Sequence, residues 1–234
     1  MYYRILNPIE EPDGQILTSN RRSLFREEVF AYRKLSFDIY NFALKSGIRI
    51  YNAVRVAENV PMFLDELNEF FKSSATEYDL KQMLVDDPIR KVSSNDLYNF
   101  SCNYITHIEE TGLYYDWGHE HYLWEFIWEM VRYYEYPDKP SRMDSVFLFD
   151  NIGNANAFKN QYRDSFCKIV EINLLEGEHQ SFDMNWFTDV PSDITLAQVK
   201  DYSRNYWESK MTKNPIVEVL HKGTYMWNSY CKKP

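Results

Sequence analysis

Three stretches that read as strands each hold one polar side chain among apolar ones: Arg4 between Tyr2 and Leu6, Ser145 ahead of Phe147 and Phe149, and Glu218 between Ile216 and Leu220. Strand side chains alternate between faces, so each polar group shares a face with those apolar neighbours. A carboxylate on an inward face is costly unless it is paired or solvated in a cleft. Two arrangements meet that condition. Either Glu218 is satisfied structurally, by Arg4 or by pointing outward at an edge, or Arg4, Ser145 and Glu218 line one cleft with aromatic walls. In such a cleft a fixed carboxylate stabilises positive charge developing on a sugar, and an arginine fork holds a ribose or a phosphate.

The segment that must position the centre of this set is Pro140 to Tyr162. Pro140 ends what precedes it. Ser145 to Phe149 alternates as a short strand, and Asp150 or Asn151 then caps a helix with Ala155, Phe158 and Tyr162 on one side. Upstream, Tyr2 to Leu6 is a strand stopped by Asn7-Pro8, and Glu10 to Asn20, with Pro12, Asp13 and Gly14, is a turn and loop. Helical spacing runs from Leu24 to near Gly47, and Ile48 to Val56 fits either helix or strand. Pro61 opens a helix with Phe63, Leu67, Phe70 and Phe71 inward. Further helices are expected over Thr76 to Val85, Asn95 to Glu110 and Glu120 to Tyr134.

Downstream, Phe166 to Leu174 reads as a strand, Glu176-Gly177-Glu178 as a loop, and Phe182 to Phe187 as a short strand. Thr195 to Gln198 has the capping-box form before a helix to about Ser209. Two strands close the chain, Ile216 to Leu220 and Thr224 to Tyr230, with His221-Lys222-Gly223 as the hairpin between them. The fold class expected is α+β: a single domain over residues 1–234, with 24–135 as a helical insertion between the first and second core strands.

Composition removes several alternatives. The 234 residues are 44% hydrophobic and 17% aromatic, enough for a sizeable core and clefts with ring-lined walls. Seven glycines include neither a G-x-G-x-x-G run nor a Walker-type sequence. The formal net charge of −9 makes non-specific nucleic-acid binding a poor default, although Arg21, Arg22 and Arg26, or Lys210, Lys213 and Lys222, are local basic candidates. Cys102, Cys167 and Cys231 are too few and too dispersed for a disulfide framework or a CxxC site, which suits a reducing, cytoplasmic setting. His119 and His121 lack a third ligand at a motif spacing, so no metal is expected. No leader or spanning segment is expected, hence no membrane partner.

Taken together, the three polar strand residues resemble the signature of the ADP-ribosyltransferase superfamily. That signature has an arginine or histidine on the first strand, a serine or aromatic on the second and a glutamate on a late strand. Ser145-Val146-Phe147-Leu148-Phe149 with the following Asn154-Ala155 helix is similar to the Gly-x-Tyr-Phe-Ala strand and Lys-Ser-x-x-Tyr helix of the poly(ADP-ribose) polymerase branch. Pro215-Ile216-Val217-Glu218-Val219-Leu220 is similar to the Ala-Glu-x-Leu-Val stretch of DNA-modifying toxins. The stretch from Arg132 to Phe149 also resembles an uncharacterised bacterial family. Ile216 stands two before Glu218, so the Glu-x-Glu pattern of arginine-directed transfer is absent.

The resemblance covers residues 1–6 and 140–227 and implies a split β-sheet core that cleaves NAD as substrate. It makes Glu218, Arg4 and Ser145 catalytic, with Tyr3, Arg4, Arg142, Ser145 and Phe147 contacting the dinucleotide. Glu218 would orient the nicotinamide ribose, Arg4 hold a ribose or the pyrophosphate, Ser145 steady Glu218 or the ribose, and Phe147 stack on nicotinamide. Arg142 is a second candidate anion contact. The implied activity is transfer of ADP-ribose to a macromolecule, nucleic acid or protein, by the toxin of a toxin–antitoxin or antiphage system with an antitoxin or regulatory partner. Two alternatives stand beside it: a non-catalytic interaction module of the same fold, and an NAD glycohydrolase using water as acceptor.

Overall fold

The computed structural model describes residues 1–6, 13–19, 27, 29–63, 92–116, 119–163, 166–191 and 194–227. The helix expected at Thr76 to Val85, the expected Pro61 helix after Phe63, the Arg21, Arg22 and Arg26 cluster, Cys231 and the end of the last expected strand lie outside them, while Val60–Phe63 is a short 3-10 turn. The fold is α+β. Contacts divide the chain into two compact units: residues 1–27, 129–189 and 202–234, and residues 28–128 and 190–201. The longer stretch of the second, 28–128, falls inside the expected insertion 24–135, and the unit also takes in residues 190–201. Among the described residues no helix is long and apolar enough to cross a membrane.

The first unit is built on one sheet of β1 (Tyr2–Leu6), β2 (Leu17–Thr18), β3 (Val146–Phe149), β4 (Lys168–Asp183) and β5 (Val217–Trp227). All pairings are antiparallel. β1 pairs with β3, β3 with β5, and the long β4 pairs with β1 through its first residues and with β5 through the rest. The pairings therefore run in a closed circuit, β1–β3–β5–β4–β1, and β2 adds to β5 beyond β3. Alternation sorts the side chains into two sets. Leu6, Val146, Leu148, Ile172, Val219, Tyr225 and Trp227 make one buried cluster with Leu17. Phe149 packs on the other face with Tyr3, Ile5, Ala155 and Phe158.

Both places where glycine suggested a turn are continuous strand. Gly177 and Gly223 face each other in the β4–β5 ladder. A Cβ on Gly177 would lie 2.2 Å from the Lys222 carbonyl oxygen, and one on Gly223 would lie 2.0 Å from that of Glu176. The glycines permit a close backbone crossing next to the bulge between Leu174 and Glu176, not a reversal of the chain. The expected strand over Phe182 to Phe187 is instead the end of β4 followed by a short helix, Asn185–Thr188. The expected loop of residues 10–20 contains β2, where Leu17 pairs with Tyr225.

Helices follow the caps. The helix Ile152–Tyr162 begins at Asn151, whose side chain accepts from the Asn154 N–H at 2.8 Å. Leu196–Trp207 begins at the expected box, in which Gln198 Oε1 accepts from the Thr195 N–H at 2.9 Å. In the second unit, Arg33–Ser46 ends at Gly47 and Ser94–Thr111 at Gly112, both glycines left-handed. The ambiguous stretch after Gly47 is a helix, Ile50–Asn59. Phe42 stacks on Phe100 at 4.4 Å, joining the helices Arg33–Ser46 and Ser94–Thr111.

Candidate functional site

Glu218 lies in β5 opposite Phe149 of β3 on one side and Phe182 of β4 on the other. Phe149 in turn faces Tyr3 of β1, so Tyr3, Phe149, Glu218 and Phe182 form one row across four strands. Two donors meet the same carboxylate oxygen: Arg142 Nη1 donates to Glu218 Oε1 at 2.5 Å, and the Tyr206 hydroxyl donates to it at 2.8 Å. Arg142 Nη1 also donates to the Tyr206 hydroxyl at 2.7 Å, closing a triangle. Glu218 is 2% exposed and Arg142 4%. A buried carboxylate is tolerable only with such compensation.

Each member is placed by its own element. Arg142 opens a three-residue turn, Arg142–Asp144, capped by Ser141, which also donates to Glu129 Oε2 at 3.1 Å. Tyr206 is on the last turn of the Leu196–Trp207 helix, its ring stacked on Phe182 at 4.7 Å. Burial first, then the neighbouring Glu218 carboxylate, pushes the Tyr206 phenol well above its ordinary value against the opposing pull of Arg142. The Arg142 guanidinium lies over the rings of Phe147 at 4.6 Å, Phe187 at 4.3 Å and Tyr206 at 5.3 Å. The site is therefore an ion pair clad in aromatic rings.

The expected convergence of Arg4, Ser145 and Glu218 is not what the structure shows. The three strands are neighbours in the order β1, β3, β5, but Tyr3, not Arg4, shares the Glu218 face. Arg4 points to the opposite face, where its Nη1 donates to the Tyr225 hydroxyl at 3.0 Å. The reason is parity: the row through Phe149 fixes Tyr3 on the Glu218 side, and a one-residue step reverses the face. Ser145 lies just before β3 with an extended backbone, fully buried, and its hydroxyl has no hydrogen-bond partner among the described residues. It does not hold Glu218. Arg142, expected to contact an anionic ligand, is bonded to Glu218. Phe147 lies beside it, and Tyr3 packs against the Phe149 cluster.

Two further polar centres have roles that the sequence reading did not assign to them. Asp183, wholly buried at the end of β4, accepts from the backbone N–H groups of Asn185, Thr212 and Ile216 at 3.1, 2.7 and 3.2 Å. An Asp two residues before an Asn at a strand end is the signal that could have found it. In the second unit, His119 sits between Asp116 Oδ1 at 3.1 Å and the Tyr32 hydroxyl at 3.2 Å. Tyr206 and Phe187 left a weaker trace, because aromatic residues in an apolar pattern read simply as core.

The geometry defines an α+β protein with a buried carboxylate–guanidinium–phenol cluster on one face of its sheet. Residues 48–227 match the family described as a protein of unknown function, DUF2441, and the chain belongs to that family. The match spans Arg142, Phe147, Phe187, Tyr206 and Glu218. No curated protein matches the chain.

Proposed function

We propose that this protein cleaves NAD and transfers ADP-ribose to a macromolecule, on an ADP-ribosyltransferase-like core, with Glu218 as the carboxylate beside the reacting ribose. The observation that carries the reading is the order of the strands. The Glu218 strand lies directly beside the strand that follows Ser145, and that strand lies beside the first. Phe147, the ring that the resemblance stacks on nicotinamide, lies against the Arg142 guanidinium that is bonded to Glu218. Arg4 has no part in this version of the site.

In the proposed reaction the bond between the ribose anomeric carbon and the nicotinamide nitrogen breaks, and nicotinamide leaves with the bonding pair. Glu218 stabilises the oxocarbenium-like ribose. An acceptor heteroatom then bonds to the anomeric carbon and gives its proton to Glu218. With Oε1 held by the Tyr206 hydroxyl, Oε2 is the oxygen that meets the ribose. The toxin or antiphage setting, with an antitoxin or regulatory partner, belongs to the same proposal and is carried by the resemblance alone.

The burial of Glu218 and Arg142 favours a second reading, a non-catalytic module in which the pair only ties the helix Leu196–Trp207 and the turn before β3 to the sheet. One experiment separates the readings. The purified chain is incubated with NAD labelled in its adenosine half and with a cell lysate, beside Glu218→Gln. Transfer by the native chain alone supports the proposal, and nuclease or protease sensitivity of the label names the acceptor class. Free labelled ADP-ribose without transfer would point to a glycohydrolase. Equal label from both proteins, or none from either, removes the transferase.

A further inference from the structure

A guanidinium is a flat cation, and that of Arg142 lies over two half-buried phenylalanine rings, with its Nη1 on the Glu218 carboxylate at 2.5 Å. Ring faces attract positive charge through their quadrupole, and a carboxylate neutralises it, so these three side chains hold a planar cation well whatever its source. Nη1 is already shared between Glu218 and Tyr206. The cation therefore fills the space between ring faces and carboxylate instead of offering that nitrogen to a ligand.

The geometry points to an internal plug: Phe147, Phe187 and Glu218 form a slot for a planar cationic ring of the N-alkylated pyridinium class, and Arg142 occupies it in the closed protein. The choice of pyridinium rests on the reading above; the slot and its plug rest on the contacts alone. For a ligand to enter, the turn Arg142–Asp144 must withdraw its arginine, so the closed state lowers the apparent affinity by the fraction of molecules that are open. The two ring walls, Phe147 and Phe187, are half-buried, while the carboxylate and the plug are almost wholly buried, so withdrawal of Arg142 opens Glu218 from the side of the rings.

The sign of one substitution decides the matter. Binding of 1-methylnicotinamide, a planar cation, and of nicotinamide, its neutral counterpart, is measured by calorimetry and thermal shift on the full chain, Arg142→Ala and Arg142→Lys. The plug predicts that the cation binds both variants about tenfold or more tighter than the native chain, and that nicotinamide gains distinctly less. Weaker or unchanged binding of the cation in both variants overturns it, because Arg142 would then support the ligand or no slot exists. Equal gains for both compounds overturn it too, because Glu218 would then have no part. Arg142→Lys keeps a charge beside Glu218 while losing the flat fork, so it carries the test if Arg142→Ala does not fold. Tighter cation binding without label transfer by the native chain leaves the slot standing and removes the transferase. Transfer without tighter binding does the reverse.

Discussion

At the scale of single residues, Glu218 and Arg142 are worth more as a pair than either is alone. Each is buried, so removing one leaves the other as an uncompensated charge. Glu218→Leu should cost about 3–5 kcal/mol in urea unfolding, whereas Glu218→Leu with Arg142→Met should cost far less than the sum of the two single changes. Additive losses would show that the two side chains are not coupled. Little of this was legible in sequence. Glu218 stood out because a carboxylate in an apolar strand demands a partner, but nothing in the spacing identified which of 26 basic residues supplied it. Arg4 was the natural candidate because it too lay in a strand. It missed by one position of register, which no single-strand pattern reports.

At the scale of elements, the caps were legible and the long strands were not. Asn151 and the Thr195–Gln198 box announce their helices because the partners are local. Gly177 and Gly223 misled because their cause is a contact between strands 46 residues apart in sequence (223 − 177). Gly177 has φ +117°, a region that only glycine enters readily. Gly177→Ala, which adds strain to the clash with the Lys222 carbonyl, should lower stability by at least about 2 kcal/mol, and a midpoint within experimental scatter of the native one would contradict the crossing. Asp183 ties the end of β4 to the segment leading into β5. Asp183→Ala strands three backbone N–H groups and should cost about 3 kcal/mol. Asn, which keeps an acceptor oxygen, should recover part of that loss.

At the scale of the whole molecule, acid should weaken the fold through its buried histidines. His107, 3% exposed and with neither ring nitrogen hydrogen-bonded among the described residues, is held below its ordinary value of 6.5 by burial first and by Lys34 second, against the opposing Asp38 and Glu110. The unfolded chain therefore binds the proton more readily. The contribution of His107 is complete above about pH 6.5 and is lost as pH falls towards its lower folded value. His221, lowered chiefly by burial, acts with the same sign. Asp38 is raised by burial and gives a slope of opposite sign at more acid pH. His107→Leu should flatten the loss of melting temperature between about pH 6.5 and 5, and an unchanged slope would assign the acid sensitivity elsewhere.

The same scale holds the proposed transfer, which would bring an acceptor and a nucleotide together on one protein. The α+β class was legible from strands bracketing a helical stretch, while the closed circuit of β1, β3, β5 and β4 was not, because β4 and β5 each read as two short strands. The most direct measurement is transfer of adenosine-labelled ADP-ribose from NAD to lysate macromolecules by the native chain and by Glu218→Gln. The account predicts label with the first and none with the second, both proteins being folded. Equal labelling, or an inert native chain, would contradict it.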